Sequence, residues 1–152
     1  MALLVTDEFP EVNIEKVVKM CIIHDFGEAV TGDIPAFLKT KQDEEKEDSA
    51  ITDLLKLLPV DIAGEFEGLF SEISERSTAE AKLFKALDNL EALISHNEAP
   101  IDTWLPREYS LNLTYGTENV AYSEYLKTLK EEINKDTIRK IENSHKGENY
   151  EN

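Results

Sequence analysis

Residues 19–35 read KMCIIHDFGEAVTGDIP, which sets one histidine (His24), three carboxylates (Asp25, Glu28 and Asp33) and two glycines directly behind an apolar run. On a helix His24 and Glu28 are four apart and Asp25 and Glu28 three apart, so all three can address one side. Adjacent residues such as His24 and Asp25 diverge by about 100° around a helix axis. Both can still reach one ion seated above the groove between them, near the helix end. Imidazole with carboxylate suits a borderline or hard divalent ion such as Mn²⁺, Co²⁺, Fe²⁺ or Mg²⁺. A closed structural zinc site would need four ligands, often thiolates. A His-Asp dipeptide alone carries little information, because a histidine at a helix end is more often a packed or surface residue.

These residues need elements to position them, and the periodicity is helical throughout, so the fold class expected is all-α. Asn13 is a good N-cap for a helix with Ile14, Val17, Val18, Cys21 and Ile22 on its apolar face. Gly27 and Gly32 bracket its expected end, and Pro35 opposes continuation. The charge run KTKQDEEKED (39–48) reads as a solvated loop and first helical turns. A helix through Ile51, Leu54, Leu55 and Leu58 is predicted next, ended by Pro59, and another from Asp61 carries Ile62, Phe66, Leu69, Phe70 and Ile73. STAE (77–80) has the pattern of a capping box and opens a long helix through Leu83, Leu87, Leu90 and Leu93. Residues 97–117, with two prolines and Trp104, read as a long loop, and a final helix is predicted from about Glu118 through Ile133.

Length and composition point to one domain over 1–143, its first helix incomplete, and a polar, frayed tail over 144–152. A chain of 152 residues buries about 68–70% of the surface its unfolded state exposes, and 41% hydrophobic residues suit that. The 32 acidic residues against 16 basic ones leave a net charge of −16, a field that repels a phosphate backbone, so a nucleic-acid partner is not expected. An anionic small substrate stays open if a metal ion supplies local positive charge. The single cysteine, Cys21, excludes a disulfide within the chain and suits a reducing cytoplasm. No apolar segment approaches the ~20 residues that span a bilayer, and MALLV (1–5) lacks a signal peptide's pattern. The expectation is a cytoplasmic protein without a membrane association.

The doublet His24-Asp25, the following Glu28, the turn Thr31-Gly32-Asp33-Ile34-Pro35, and Asp88 three residues after Lys85 come in an order that resembles the HD-domain metal-dependent phosphohydrolases. Within them the match is closest to the bacterial 5′-deoxyribonucleotidase-like branch, over roughly residues 1–96. The resemblance implies an HD-type helical bundle. It also implies a metal-dependent phosphomonoesterase that hydrolyses deoxyribonucleoside 5′-monophosphates to nucleoside and phosphate. By the same resemblance His24, Asp25 and Asp88 ligate one divalent ion, Glu28 orients or deprotonates the attacking water, and Asp33 lines the sugar or phosphate pocket. From the residues alone, Asp88 beside Leu87 at the edge of an apolar stripe would read as an exposed acid, and Lys85 as a solvated lysine.

One part of the family pattern is not in this sequence: an early-helix histidine followed by an arginine and an aromatic. MALLV looks like the C-terminal part of that helix. A shortened product of an ordinary enzyme is the favoured expectation, and a true form with a weakened metal site is the other. His96 and His145 read as surface histidines and poor replacements. A homodimer is also expected from the resemblance, and Trp104 reads equally as an apolar contact for it or as a loop anchor. The alternatives in function are an HD phosphohydrolase for another phosphate ester or phosphodiester, or a helical nucleotide- or protein-binding module.

Overall fold

A computed structural model of the protein describes residues 1–35 and 37–148, the last four of these in backbone only. The elements are helical, and no strand occurs among the described residues, as the periodicity predicts. A 3₁₀ helix spans Ala2–Glu8, followed by α1 (Ile14–Ile23), a 3₁₀ turn (His24–Phe26), α2 (Glu28–Thr31), α3 (Lys41–Leu55), α4 (Val60–Glu75) and α5 (Ala79–Glu98). A 3₁₀ turn (Ile101–Thr103) and helices α6 (Glu108–Thr114), α7 (Thr117–Val120) and α8 (Glu124–Glu148) complete the order. Two compact units arise, one of Glu11–Phe84 and one of Met1–Pro10 with the chain from Lys85 onward.

In the unit of Glu11–Phe84, α1 packs on α4, and α3 on both α2 and α4. Asn13 caps α1 as expected, its side chain accepting from Lys16 N at 3.1 Å. The buried face of α1 is Val17, Met20 and Ile23, while Ile22, expected inside, is 66% exposed. The apolar positions of this helix extend further round the axis than the stripe it buries, so periodicity alone misplaced the seam. The charge run is mostly helix. Thr40 caps α3 in a capping box with Asp43, whose carboxylate accepts from Thr40 N at 3.1 Å.

The STAE segment caps differently from its pattern. Thr78, not Ser77, accepts from Ala81 N at its hydroxyl oxygen (3.2 Å), and Glu80 accepts instead from Asn13 N at 3.0 Å. A long-range partner thus replaces the local one the motif suggests. The leucine stripe of α5 behaves as its spacing requires, with Leu83, Leu87, Leu90 and Leu93 all buried.

In the other unit α8 packs on α6 and α7. Residues 97–117 are more ordered than the expected loop, because α6 forms there around a buried polar cluster. Asn112 Nδ2 donates to Asn97 Oδ1 (3.0 Å) and Thr137 Oγ1 (2.9 Å), and Thr137 donates to Asn97 Oδ1 at 2.9 Å. Such groups are tolerated inside because each finds a partner. The final helix begins at Glu124 rather than near Glu118, since α7 forms first behind Gly116 and chain direction changes at residues 121–123. Of the expected tail, 144–148 continue α8 and 149–152 lie outside the described residues, as does the side chain of His145.

Candidate active site

The helix that carries the His-Asp doublet changes form at the doublet. α1 ends at Ile23, and His24, Asp25 and Phe26 make one tighter 3₁₀ turn before α2 begins at Glu28. Phe26 anchors this turn with its ring 6.0 Å from Phe66 and 6.4 Å from Phe70. Phe84 meets the His24 ring edge-on at 5.2 Å. Aromatic contacts of this kind fix ring orientation as well as burying area.

His24 Nδ1 donates to the Cys21 carbonyl oxygen at 2.9 Å, so Nδ1 carries a proton. Its Nε2 lies 3.0 Å from Asp25 Oδ1. Two electron-rich atoms at that distance require a cation or a proton to relieve them. A carbonyl holding the far ring nitrogen is the usual support of a metal-ligating imidazole. The donor chemistry of this pair therefore fits a divalent ion. Among the described residues no group of three or more His, Cys, Asp or Glu side chains is gathered to hold one.

Glu28 opens α2, one turn past the doublet, and Lys39 Nζ lies 3.3 Å from its Oε1. Burial pushes the Glu28 carboxyl above its usual range, against the hydrogen bond from Lys39 that lowers it. Lys39 also meets Glu47 Oε2 at 2.6 Å. Burial alone would lower its ammonium, but the bonds to Glu47 and Glu28 outweigh burial and raise it. Asp33 lies exposed in the turn after α2, just past Gly32 at φ +83°.

Asp88 belongs to the other unit, on α5, where Lys85 Nζ meets its Oδ2 at 2.7 Å. Lys85 is therefore ion-paired rather than simply solvated. His96 is not the surface histidine its sequence suggests. It is partly buried, stacked on Trp104 at 4.1 Å, and its Nε2, 3.8 Å from Glu108 Oε2, is buried without a hydrogen bond among the described residues. Trp104 is 6% exposed and donates from Nε1 to the His96 carbonyl oxygen at 3.2 Å, so it is a loop anchor and not an exposed apolar contact.

Sequence reasoning missed Lys39 and Glu47. Both are inside a charge run that reads as solvated. The available signal was the spacing of Glu47 three, four and seven residues before Ala50, Ile51 and Leu54, which puts it on the apolar face of α3.

The described residues thus form a helical fold that presents a His-Asp doublet with a half-buried glutamate one turn later. The chain belongs to the HD domain family, whose model matches residues 1–130. It is similar to 5′-deoxynucleotidase HDDC2 of Homo sapiens, 33% identical over 100 residues, which cover 64% of this chain and 48% of that protein. The corresponding protein of Danio rerio is 37% identical over 100 residues, covering 64% of this chain and 49% of that one. Among solved structures it resembles a predicted metal-dependent phosphohydrolase from Magnetospirillum magnetotacticum MS-1. The TM-score is 0.68 at 30% identity, over 85% of this chain and 66% of that one. The chain thus spans about half the length of the curated relatives it matches.

Proposed function

We propose that this chain acts as a metal-dependent phosphomonoesterase on deoxyribonucleoside 5′-monophosphates, releasing nucleoside and inorganic phosphate. The observation that carries the reading is the convergence of His24 Nε2 and Asp25 Oδ1 at 3.0 Å, one turn before a half-buried Glu28. Family membership and the names of the relatives supply the reaction class. His24 and Asp25 would hold the ion, and the family resemblance assigns Asp88 as a further ligand. Mn²⁺, Co²⁺, Fe²⁺ and Mg²⁺ all suit imidazole with carboxylate. The ion supplies Lewis acidity and local positive charge, which offsets the repulsion between a phosphate ester and a chain of net charge −16.

Glu28 accepts a proton from the attacking water as the water oxygen bonds to phosphorus. The bond from phosphorus to the 5′ oxygen breaks, and that oxygen takes a proton from solvent to leave as the nucleoside hydroxyl, while Glu28 returns its proton to solvent. Asp33, exposed beside this turn, would meet the sugar or phosphate. A cytoplasmic setting accords with the single cysteine, and no helix among the described residues is long and apolar enough to cross a membrane.

Phosphate release is the test. With Mn²⁺ or Co²⁺ added, the purified chain is expected to free phosphate from deoxyribonucleoside 5′-monophosphates and not from 3′-monophosphates. No release from any nucleotide with any divalent ion overturns the reading. Nucleotide binding without turnover, unchanged by Glu28→Ala, would replace it with a binding module.

A further inference from the structure

We propose that Lys39 is a positioning residue for Glu28, and that Glu47 exists to anchor Lys39. The inference rests on Glu28 as the group that takes a proton from water, and it concerns how that group is held. Lys39 reaches the site from the loop after α2. The amide nitrogens of Leu38 and Lys39 both donate to the Pro35 carbonyl oxygen, at 2.7 and 3.1 Å. From there the ammonium lies 2.6 Å from Glu47 Oε2 and 3.3 Å from Glu28 Oε1. The shorter contact is the anchor, and the longer one the working contact.

Three observations separate this from an ordinary surface ion pair. First, all three side chains are substantially covered: 22% exposed for Lys39, 25% for Glu28 and 13% for Glu47. Second, Glu47 Oε1 is buried and takes no hydrogen bond among the described residues, so its charge is answered chiefly by Lys39. A half-satisfied buried carboxylate is costly, and its presence here needs a reason. Third, Gly27, next to Glu28 in sequence, lets α3 approach at Glu47. A Cβ at Gly27 would lie 3.1 Å from the Glu47 carbonyl oxygen and 3.2 Å from its Cβ. The sequence thus brings Glu47 against the very turn that carries Glu28.

One ammonium shared by two carboxylates holds the cluster at a net negative charge. Lys39 engages Glu28 through Oε1 and leaves Oε2 as the oxygen that can meet a water. Without Lys39, two carboxylates would face each other across the gap and Glu28 would turn away. Misplacement of a reacting group by about 1 Å costs on the order of 10²-fold in rate.

The experiment compares Lys39→Met, Lys39→Arg, Glu47→Gln and their doubles in the full chain with added Mn²⁺ and deoxyribonucleoside 5′-monophosphate. The expected result is a kcat lower by about 10–100-fold in Lys39→Met, with KM and Mn²⁺ affinity unchanged and partial rescue by Lys39→Arg. Glu47→Gln should lower kcat less, and should add no further loss to Lys39→Met. A second readout needs neither metal nor turnover: trace acetylation of Lys39 by acetic anhydride should rise several-fold in Glu47→Gln relative to the other lysines. Unchanged acetylation, or an Lys39→Met effect confined to KM or to melting temperature, overturns the inference. A rate lost in Glu28→Gln but kept in Lys39→Met also overturns it while the proposed reaction stands. An unchanged rate in Glu28→Gln removes the role of Glu28 and with it the inference, whereas no phosphate release from the parent chain removes the proposed reaction.

Discussion

His24 and Asp25 are neighbours in the chain, yet their side chains converge, with Nε2 of one 3.0 Å from Oδ1 of the other. On a continuous α-helix they would diverge by about 100°. The turn at His24–Phe26 is 3₁₀, which sets neighbours about 120° apart, so the convergence comes from the side chains themselves, with the imidazole held by Nδ1 on the Cys21 carbonyl oxygen. Two side chains that leave the backbone in different directions thus present Nε2 and Oδ1 within reach of one cation.

That geometry predicts how divalent-ion binding responds to substitution. His24→Ala and Asp25→Ala should each lower Mn²⁺ affinity by at least about 100-fold, since even the residues that support ligands cost 10–100-fold. Titration calorimetry of the two variants checks this. Chelation should abolish phosphate release, and added Mn²⁺ or Co²⁺ should restore it.

Glu28→Gln removes the proton acceptor while keeping a side chain that Lys39 can still meet. Turnover should fall by about 10²–10⁴-fold, with Mn²⁺ affinity within a few-fold of the parent. Steady-state kinetics beside a metal titration separate the two effects.

Gly116 sits at φ +70°, and a Cβ there would lie 2.8 Å from Cβ of Asn89, which is 3% exposed. Gly116→Ala combines a strained backbone with a collision against a buried side chain, and should destabilise the fold by about 1–3 kcal/mol. Leu90→Ala should cost about 2–5 kcal/mol through the cavity it leaves. Urea unfolding of each variant gives the measurement.

Lys130 is 4% exposed, with Nζ 3.2 Å from both the Leu113 carbonyl oxygen and Asn134 Oδ1, and burial lowers its ammonium below the usual lysine value. In the alkaline window between that lowered value and the ordinary one, the unfolded chain binds more protons than the folded one. Stability contributed at this position therefore rises with pH there. Below the window both states are charged and the burial cost is fully present. Comparing the unfolding free energy of parent and Lys130→Met from pH 8 to 10.5 should show this upward contribution only in the parent.

Some of this was legible before any coordinates. The leucines of α5 repeat at helical spacing, and all four are buried. Asn13 precedes an apolar face and caps it. Other positions misled for identifiable reasons. Ile22 belongs to an apolar arc wider than the stripe α1 buries. Ser77 and Glu80 match a capping box, but Glu80 had a better partner in Asn13. His96 looked like a surface residue because nothing local reveals that Trp104 folds back over it.

The helical class, the buried stripe of α5 and the order of the His-Asp doublet, Glu28 and the TGDIP turn are readable from the amino acids alone, because each depends on spacing along one segment. Only the tertiary structure decided that His24 and Asp25 converge, that Lys39 spans Glu28 and Glu47, and that His96 is stacked rather than solvated. The last two outcomes depend on which side chains from separate segments reach one another, and the first on how two neighbouring side chains turn at one helix end. A lysine and a glutamate inside a charge run look alike until packing removes water from some of them and leaves it around the rest.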